Sequence, residues 1–417
     1  MEYAQPVIGF FVLLLLGAIF STNIKKIKIR YMINAIAIQL ALAFLLLKWT
    51  VITDFFEILS RGVLALTSAT DSGVAFVFGY LATGAPGAPF EVINPAGTFI
   101  FAFGGLVLVI VVSAFSALLW HWRVIPVIVN VLSVLFKKPL NVGGPVGLSA
   151  TANVFLGQVE APLLVRPYLA TMTKHELLIL MTVGMSTIAG SIMATLNLML
   201  FDVYGASLIG HFLTASIISV PAAIMYANMM IPSEEKTEFP SDHNEKMYRS
   251  SIDAITEGTR SGLEIFLNII ALLIVVLSLV ALVNMSLASL LPEFNGQVLS
   301  LERMAGWIFA PLAWCMGIPW QESQLAGELL GIKTMTNEFI AYIRLAEIDA
   351  SLLSERTRLI MLYALCGFAN LSSVGILISG MGAMAPERKN DLIAVSGRAL
   401  VAAVLASCMT GFIVGIL

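Results

Sequence analysis

The sequence predicts an all-α integral membrane protein, and two observations lead to that class. First, 59% of the 417 residues are hydrophobic and only 12% are charged, whereas about a quarter of the residues in a soluble domain are charged. Second, the mean hydropathy is +0.93, and the apolar residues are concentrated in stretches that approach the ~20 residues a helix needs to cross the hydrocarbon layer. Eight stretches qualify: 7–21, 29–50, 98–120, 176–198, 206–229, 261–290, 357–382 and 395–417.

Composition and motifs exclude several other classes. The net charge of −3 offers no basic surface for a nucleic acid. The three cysteines, Cys315, Cys366 and Cys408, lie far apart in apolar stretches and are interpreted as small buried hydrophobic residues. The sequence contains no Walker loop, metal-binding histidine cluster or nucleophile elbow. It therefore predicts neither an enzyme nor an organic cofactor.

The distribution of basic residues predicts the orientation, because lysine and arginine concentrate in short cytoplasmic loops. The first apolar stretch follows Glu2 rather than a basic region and lacks a cleavage site, so it is interpreted as a span and not a signal peptide. The next loop is expected in the cytoplasm because it holds Lys25, Lys26, Lys28 and Arg30. Alternating from there, both termini and the acidic segments 51–97 and 346–356 fall outside.

Two segments are too polar to span the membrane. Residues 55–80 are amphipathic and predict an external or interfacial helix, which a glycine- and proline-rich turn at 84–89 follows. Residues 232–260 have mixed charge and two prolines and predict a cytoplasmic linker.

Two further segments, 143–173 and 303–345, are too apolar for loops and too interrupted for ordinary spans. Each predicts two half-length helices joined by a glycine- or proline-bearing turn, which is a re-entrant hairpin. Each is followed by two spans, the first of them interrupted, at 186–190 and at 367–373. The two hairpins enter from opposite sides. This order is typical of the inverted repeat of a secondary transporter, with its substrate near the midplane, and favours a transporter over a channel.

The predicted organisation has five parts. Residues 1–140 form the N-terminal spans, interfacial helix and scaffold, and 141–230 form the first inverted repeat. The linker covers 231–260, a central span 261–302, and the second repeat 303–417.

Glu160 and Glu338 occupy corresponding positions, one in the second half of each hairpin. A charged side chain at membrane depth costs about 2.5–3.5 kcal/mol, so a matched pair favours a shared functional site. The alternative is an ion pair with Arg166 or Arg344, six positions further on in each case.

Polar residues near these carboxylates suit a ligand with both donors and acceptors. Gln158 and Asn370 each offer an amide to the edge of a heterocycle or to vicinal hydroxyls. Ser373 follows Asn370 on the same helical face. Phe368 is suited to stack a planar ligand, although ordinary packing explains it equally well.

The interruption near Thr187 offers a hydroxyl and freed carbonyls, and Asn153 adds an amide oxygen. Several neutral oxygens together suit a hard monovalent cation. Taken alone, Thr187 would be explained by a hydrogen bond back to its own helix.

Four stretches resemble the concentrative nucleoside transporters. They are residues 153–168 (NVFLGQVEAPLLVRPY), 186–191 (STIAGS), 336–342 (TNEFIAY) and 365–373 (LCGFANLSS). The resemblance runs over nearly the whole chain, with the motifs in the family's order. It implies eight spans, two opposing hairpins, a scaffold and a mobile transport domain, assembled as a homotrimer in the cell inner membrane.

The resemblance also implies roles for individual residues. The base is read by Gln158, Val159 and Glu160. The ribose is held by Glu338, Asn370 and Ser373, and the pocket is shaped by Phe368 and Ile192. Sodium is held by the side chains of Asn153 and Thr187 and by the backbone carbonyls of Leu156 and Ile188. Sodium-coupled nucleoside symport is therefore expected, with proton coupling, as in some bacterial relatives, left open.

Two departures from the family pattern stand out. Val159 replaces the usual threonine or serine, and the loss of a hydroxyl removes a polar contact of about 0.5–1.5 kcal/mol if one was made. The preference for purine or pyrimidine bases is therefore open. Residues 101–108 (FAFGGLVL) replace a run that more often contains arginine and proline, and this difference is expected to affect scaffold packing.

Overall fold

The computed structural model describes residues 4–84, 88–91, 100–204, 208–238, 247–293, 298–349 and 351–417. All regular structure within these ranges is helical, as the sequence predicts. The middle of the predicted turn at 84–89 and residues 239–246 of the predicted linker lie outside the described ranges.

The N-terminal part contains six helices. They are α1 (Ala4–Ile19), α2 (Ile29–Lys48), α3 (Thr50–Phe78), α4 (Tyr80–Thr83), α5 (Leu108–His121) and α6 (Val124–Leu140). α3 is the amphipathic helix that the sequence predicts. α6 is an addition to the prediction: it turns by 74° from α5, and left-handed residues bound it at both ends, Arg123 (φ 65°) and Asn141 (φ 60°).

Within the described residues, six α-helices follow α6 and end where the linker begins. They are α7 (Gly144–Ala152), α8 (Glu160–Leu163), α9 (Arg166–Leu169), α10 (Lys174–Ser186), α11 (Gly190–Tyr204) and α12 (Leu208–Met230). The predicted interruption of the 176–198 span is the break between α10 and α11. After the linker comes α13 (Ser251–Leu290), which packs on α5 through close contacts at Gly258 and Gly262.

The C-terminal part contains six helices. They are α14 (Leu301–Cys315), α15 (Trp320–Met335), α16 (Glu338–Glu347), α17 (Glu355–Ala364), α18 (Leu371–Met384) and α19 (Lys389–Ile416). The predicted interruption at 367–373 is the break between α17 and α18.

The second hairpin segment differs from the prediction of two half-length helices, because it contains three. α14 and α15 pack antiparallel after a turn at Gly317 (φ 89°), and a Cβ on Gly327 would lie only 2.6 Å from the Gly306 carbonyl oxygen. The break before Glu338 separates α15 from α16. The order α14 to α19 therefore parallels α6 to α12 with α8 and α9 counted as one arm. The sequence did not predict α6, and α14, its counterpart, was predicted as part of the second hairpin at 303–345.

Five helical runs of the described residues are long and apolar enough to cross a membrane. They are Ile29–Lys48, Lys174–Phe201, Leu208–Met230, Ser251–Leu290 and Pro386–Ile416, and the bent pair α5 and α6 would make a sixth. α1 and α18 are apolar but shorter. The predicted spans at 7–21 and 357–382 thus correspond to a short helix and to two half-helices.

The visible part of the linker crosses the start of the first repeat. Thr237 donates its N–H (2.7 Å) and its hydroxyl (2.9 Å) to the carboxylate of Glu176, which also completes a capping box with Thr173 at the start of α10. Glu238 accepts the N–H of Gly144, the first residue of α7 (3.3 Å). The linker therefore ties α7 to α10 at the ends opposite their breaks.

Candidate functional site

Four breaks in the helices lie against one another in the interior. Gly190 at the α10–α11 break donates its N–H to the carbonyl of Phe155 at the α7–α8 break (3.1 Å). Gly367 at the α17–α18 break (φ 145°) lies against Ser186, since an added Cβ would lie 2.9 Å from the Ser186 carbonyl carbon. The fourth break, between α15 and α16, joins the others through Glu338. The polar side chains of both repeats therefore converge, as the inverted-repeat prediction requires.

Glu338, Asn370 and Ser373 form one hydrogen-bonded group. Glu338 is the first residue of α16 and is only 3% exposed. Asn370 caps α18, because its Oδ1 accepts the N–H of Ser373 (2.8 Å). Its Nδ2 donates to Oε2 of Glu338 (3.3 Å). The helix cap thus fixes the Asn370 amide, which in turn holds the Glu338 carboxylate. The three residues predicted to bind the ribose therefore lie together.

Gln158 connects this group to the first repeat. Its Nε2 donates to the hydroxyl of Ser373 (3.3 Å), and its Oε1 is buried with no hydrogen-bond partner among the described residues. Glu160 is the first residue of α8 and accepts the N–H of Gly157 (2.9 Å). A buried acceptor without a partner is unfavourable by about 1–3 kcal/mol, so the Gln158 carbonyl oxygen is a strong candidate to meet a ligand donor.

The alternative role of the two carboxylates, an ion pair with the arginine six residues on, does not occur. Arg344 lies 3.5 Å from Glu347 instead, and Arg166 is exposed. The carboxylates of the buried Glu338 and the partly buried Glu160 are therefore available for a ligand.

The apolar candidates lie at or next to the same helix breaks. Val159 packs against α18, since its two methyl groups lie 2.7 and 2.9 Å from the Cβ position of Gly380. Phe368 is half-buried at the α17–α18 break, and Ile192 is buried in the first turn of α11. Val159 thus contacts α18 through carbon, which the sequence alone did not show.

Asn153 and Thr187 meet at the breaks of α7 and α10. The Thr187 hydroxyl lies 3.3 Å from the carbonyl of Asn153 and 3.1 Å from that of Val183. The predicted hydrogen bond back to its own helix therefore exists, and it leaves the oxygen lone pairs of Thr187 free to face a ligand. Both amide atoms of Asn153 are buried with no partner among the described residues.

The two predicted carbonyl ligands lie next to these side chains in sequence and are buried. Leu156 donates its N–H to Ala152 (2.8 Å), and Ile188 donates its N–H to the hydroxyl of Ser216 (3.3 Å). The Ser216 contact holds the α10–α11 break against α12. It was missed by sequence reasoning because a serine within an apolar span carries no distinctive pattern.

Gly184 of α10 lies close to both Asn153 and Gln158. An added Cβ would lie 3.5 Å from Asn153 Nδ2 and 3.3 Å from Gln158 Cβ. The orphaned amide of Asn153 and the Cβ of Gln158 therefore border the same side of α10.

Comparisons with known proteins show the family to which this chain belongs. Three family models match: "Na+ dependent nucleoside transporter N-terminus" at residues 8–81, "Nucleoside recognition" at 102–201 and "Na+ dependent nucleoside transporter C-terminus" at 211–415. The nucleoside permease NupC of Helicobacter pylori is 33% identical over 98% of this chain and 96% of its own length. Solute carrier family 28 member 3 of Homo sapiens is 33% identical over 98% of this chain and 59% of its own length.

The fold is that of the transporter CNTnw. Its inward-facing, substrate-bound state has a TM-score of 0.88 at 33% identity, covering 100% of this chain and 98% of that one. A substituted form in an outward-facing state has a TM-score of 0.89 at 32% identity, covering 100% and 97%. These relatives are transporters and not enzymes, as expected from the sequence. This chain belongs to the concentrative nucleoside transporter family.

Proposed function

We propose that this protein imports nucleosides by symport with sodium, through alternating access of a mobile transport domain. The observation that carries the proposal is the buried side-chain amide of Asn153, which has no partner among the described residues. The backbone carbonyl of the same residue lies 3.3 Å from the Thr187 hydroxyl. An orphaned amide oxygen, a hydroxyl and backbone carbonyls at one pair of helix breaks suit a hard monovalent cation.

The polar group formed by both repeats supports nucleoside as the substrate. The Glu338 carboxylate only accepts hydrogen bonds, so it suits the two ribose hydroxyls, and Asn370 holds it in place. Gln158 presents an unused carbonyl oxygen toward the base, beside Glu160. Ser373 bridges the two halves by accepting from Gln158, while Phe368, Ile192 and Val159 supply apolar surface.

The ion and the nucleoside are expected to raise each other's affinity. Asn153 and Gln158 belong to one break and border the same glycine of α10, so ordering of this break by sodium also orders Gln158. The carbonyls of Leu156 and Ile188 complete the proposed sodium site. Coupling of this kind is reciprocal by thermodynamic necessity, and it makes the binding-competent state dependent on the ion.

Proton coupling is the second candidate, and the buried Glu338 favours it. A carboxylate that is 3% exposed and has no ion-paired partner among the described residues is a group able to carry a proton. A passive channel is disfavoured by the several states in which CNTnw has been captured, from outward-facing through intermediate to inward-facing.

We also propose the setting in which transport occurs. The chain would reside in the cell inner membrane with both termini extracytoplasmic and the 231–260 linker inside. Residues 143–173 and the arms α15 and α16 would be re-entrant hairpins of opposite orientation, carried by the transport domain. Assembly as a homotrimer is supported by α13, whose apolar surface is largely exposed, and light scattering of the detergent-solubilised protein would measure it.

Nucleoside affinity at fixed pH in sodium and in choline buffer tests the sodium proposal. Sodium is expected to tighten binding at least tenfold, because it orders the break that carries Gln158. Equal affinities in the two buffers, in a protein that binds nucleoside, would refute sodium coupling. A pH gradient that drives uptake without sodium would favour the proton alternative.

Val159→Thr is expected to change base preference. Threonine restores a hydroxyl next to the base-reading amide, and one hydrogen bond is worth about 0.5–1.5 kcal/mol, or roughly 2–10-fold in the ratio of pyrimidine to purine affinity. Competition of a nucleoside panel against one labelled nucleoside measures this ratio. Val159→Ala is the matched control: it loses contact with Gly380 without adding a hydroxyl, so it should weaken all bases equally. An unchanged ratio in Val159→Thr would remove residue 159 from base recognition.

A further inference from the structure

The structure buries one basic side chain deep in the second repeat, and the proposed site does not use it. Lys333 is 2% exposed and is the only buried lysine or arginine among the residues whose burial is described. Its Nζ donates to the carbonyl of Ala364 (2.9 Å) and to the hydroxyl of Ser407 (3.0 Å). Burial of an ammonium group is unfavourable in free energy unless the group is hydrogen-bonded. The position of Lys333 in an apolar interior therefore requires a structural or functional explanation.

The two acceptors place the ammonium at a helix break. Ala364 is the last residue of α17, immediately before the α17–α18 break, and Ser407 lies on α19. Lys333 itself lies in the last turn of α15, just before the α15–α16 break. A positive charge at the C-terminal end of a helix interacts favourably with the carbonyls that the helix leaves unpaired. The ammonium thus joins the ends of two half-helices from one repeat.

The first repeat has the same arrangement with a different chemistry. There the end of α7 meets the end of α10, where Asn153 and Thr187 supply oxygens that suit a free cation. In the order of elements, α7 and α10 correspond to α15 and α17. At the breaks that follow α15 and α17, the cation is the ammonium group of Lys333.

Two residues proposed to contact the ligand lie a few residues beyond the helix ends that Lys333 joins. Glu338 lies five residues after Lys333, as the first residue of α16, and Asn370 lies six residues after Ala364, as the cap of α18. The hydrogen bond from Asn370 to Glu338 (3.3 Å) therefore joins the far sides of the same two breaks. Fixing the near sides with an ammonium limits how far these two residues can move apart.

We propose that Lys333 is a positioning residue of the nucleoside site: a built-in cation that clamps the end of α15 to the end of α17 and so holds Glu338 and Asn370 at the spacing that ribose hydroxyls require. This inference rests on the proposed function and extends it. The clamp acts on the ribose half of the site in the second repeat, without the coupling ion.

The test compares a ribonucleoside with its 2′,3′-dideoxy analogue, because only the first carries the 2′ and 3′ hydroxyls. Lys333→Met retains an unbranched side chain one atom shorter and removes the charge. At saturating sodium, we expect equilibrium binding to purified protein to show at least a fivefold loss of preference for the ribonucleoside. Affinity for the dideoxy analogue should change little. Lys389→Met, at the exposed start of α19, is the matched control and should keep the wild-type preference.

Two further variants keep the test decisive if Lys333→Met folds poorly. Ser407→Ala removes one acceptor and keeps the cation, so it should reduce the preference in the same direction by a smaller factor. Lys333→Ala should recover part of its preference in methylammonium but not in the larger tetramethylammonium. Equal loss of affinity for both ligands, or an unchanged preference in a folded Lys333→Met, would overturn the proposal. A wild-type protein that binds no nucleoside would instead refute the proposed function.

Discussion

Glu338→Gln is expected to reduce nucleoside uptake by at least a hundredfold while the protein remains folded. Hydrogen bonds to a charged group are worth about 1.5–3 kcal/mol each. At the lower value, the loss of two such bonds costs about 3 kcal/mol, which is more than a hundredfold in affinity. Glutamine retains one oxygen, which can accept from Nδ2 of Asn370, and its NH₂ replaces the other carboxylate oxygen. The substitution therefore replaces an acceptor for the ligand by a donor and removes the charge.

Initial rates of labelled nucleoside uptake into cells or proteoliposomes measure this effect, and gel filtration of the purified variant checks its folding. Glu347→Gln is the matched control, because Glu347 ends the same helix but is exposed and lies near Arg344. Its uptake should equal that of the wild type. Wild-type uptake by a folded Glu338→Gln protein would show that the site has been misplaced.

Thr187→Val is expected to raise the sodium concentration for half-maximal uptake at least tenfold. Valine preserves shape but removes the hydroxyl that lies between the carbonyls of Asn153 and Val183, so the proposed ion loses one oxygen ligand. Tenfold corresponds to about 1.4 kcal/mol, which is the scale of one hydrogen bond or neutral ligand.

Thr187→Ser provides the comparison, since it retains the hydroxyl and loses only a methyl group. Its sodium dependence should stay within about twofold of the wild type by the same arithmetic. Sodium titrations of uptake at saturating nucleoside distinguish the two variants. An identical sodium dependence in Thr187→Val and Thr187→Ser would exclude this hydroxyl from the ion site.

The sequence predicted the positions of two helix breaks, at 186–190 and 367–373, because polar and glycine residues interrupt apolar stretches there. It did not predict the break between α15 and α16. The grouping of Glu338, Asn370 and Ser373 was predicted from the family resemblance, and the structure brings the three side chains together. Burial of Asn153 without a partner also agrees with the expectation for a cation ligand. The two breaks and the site motifs were predictable because each is a short pattern that is local in sequence.

Other features depend on tertiary packing and could not be read from local patterns. α6 was not predicted, because a helix that turns by 74° from α5 is positioned by tertiary packing. α14 was assigned to the hairpin because its glycine contacts with α15 are long-range. The role of Lys333 could not be predicted, since its two acceptors lie 31 and 74 residues away in the sequence.

The most direct test of the central claim is accumulation of a labelled nucleoside in proteoliposomes that contain the purified protein, with sodium and proton gradients imposed separately. The account predicts that an inward sodium gradient at equal internal and external pH drives the nucleoside above its external concentration, and that dissipating the sodium gradient abolishes the excess. Equilibration without accumulation under every gradient would contradict secondary active transport. Accumulation driven by a pH gradient alone would contradict sodium coupling.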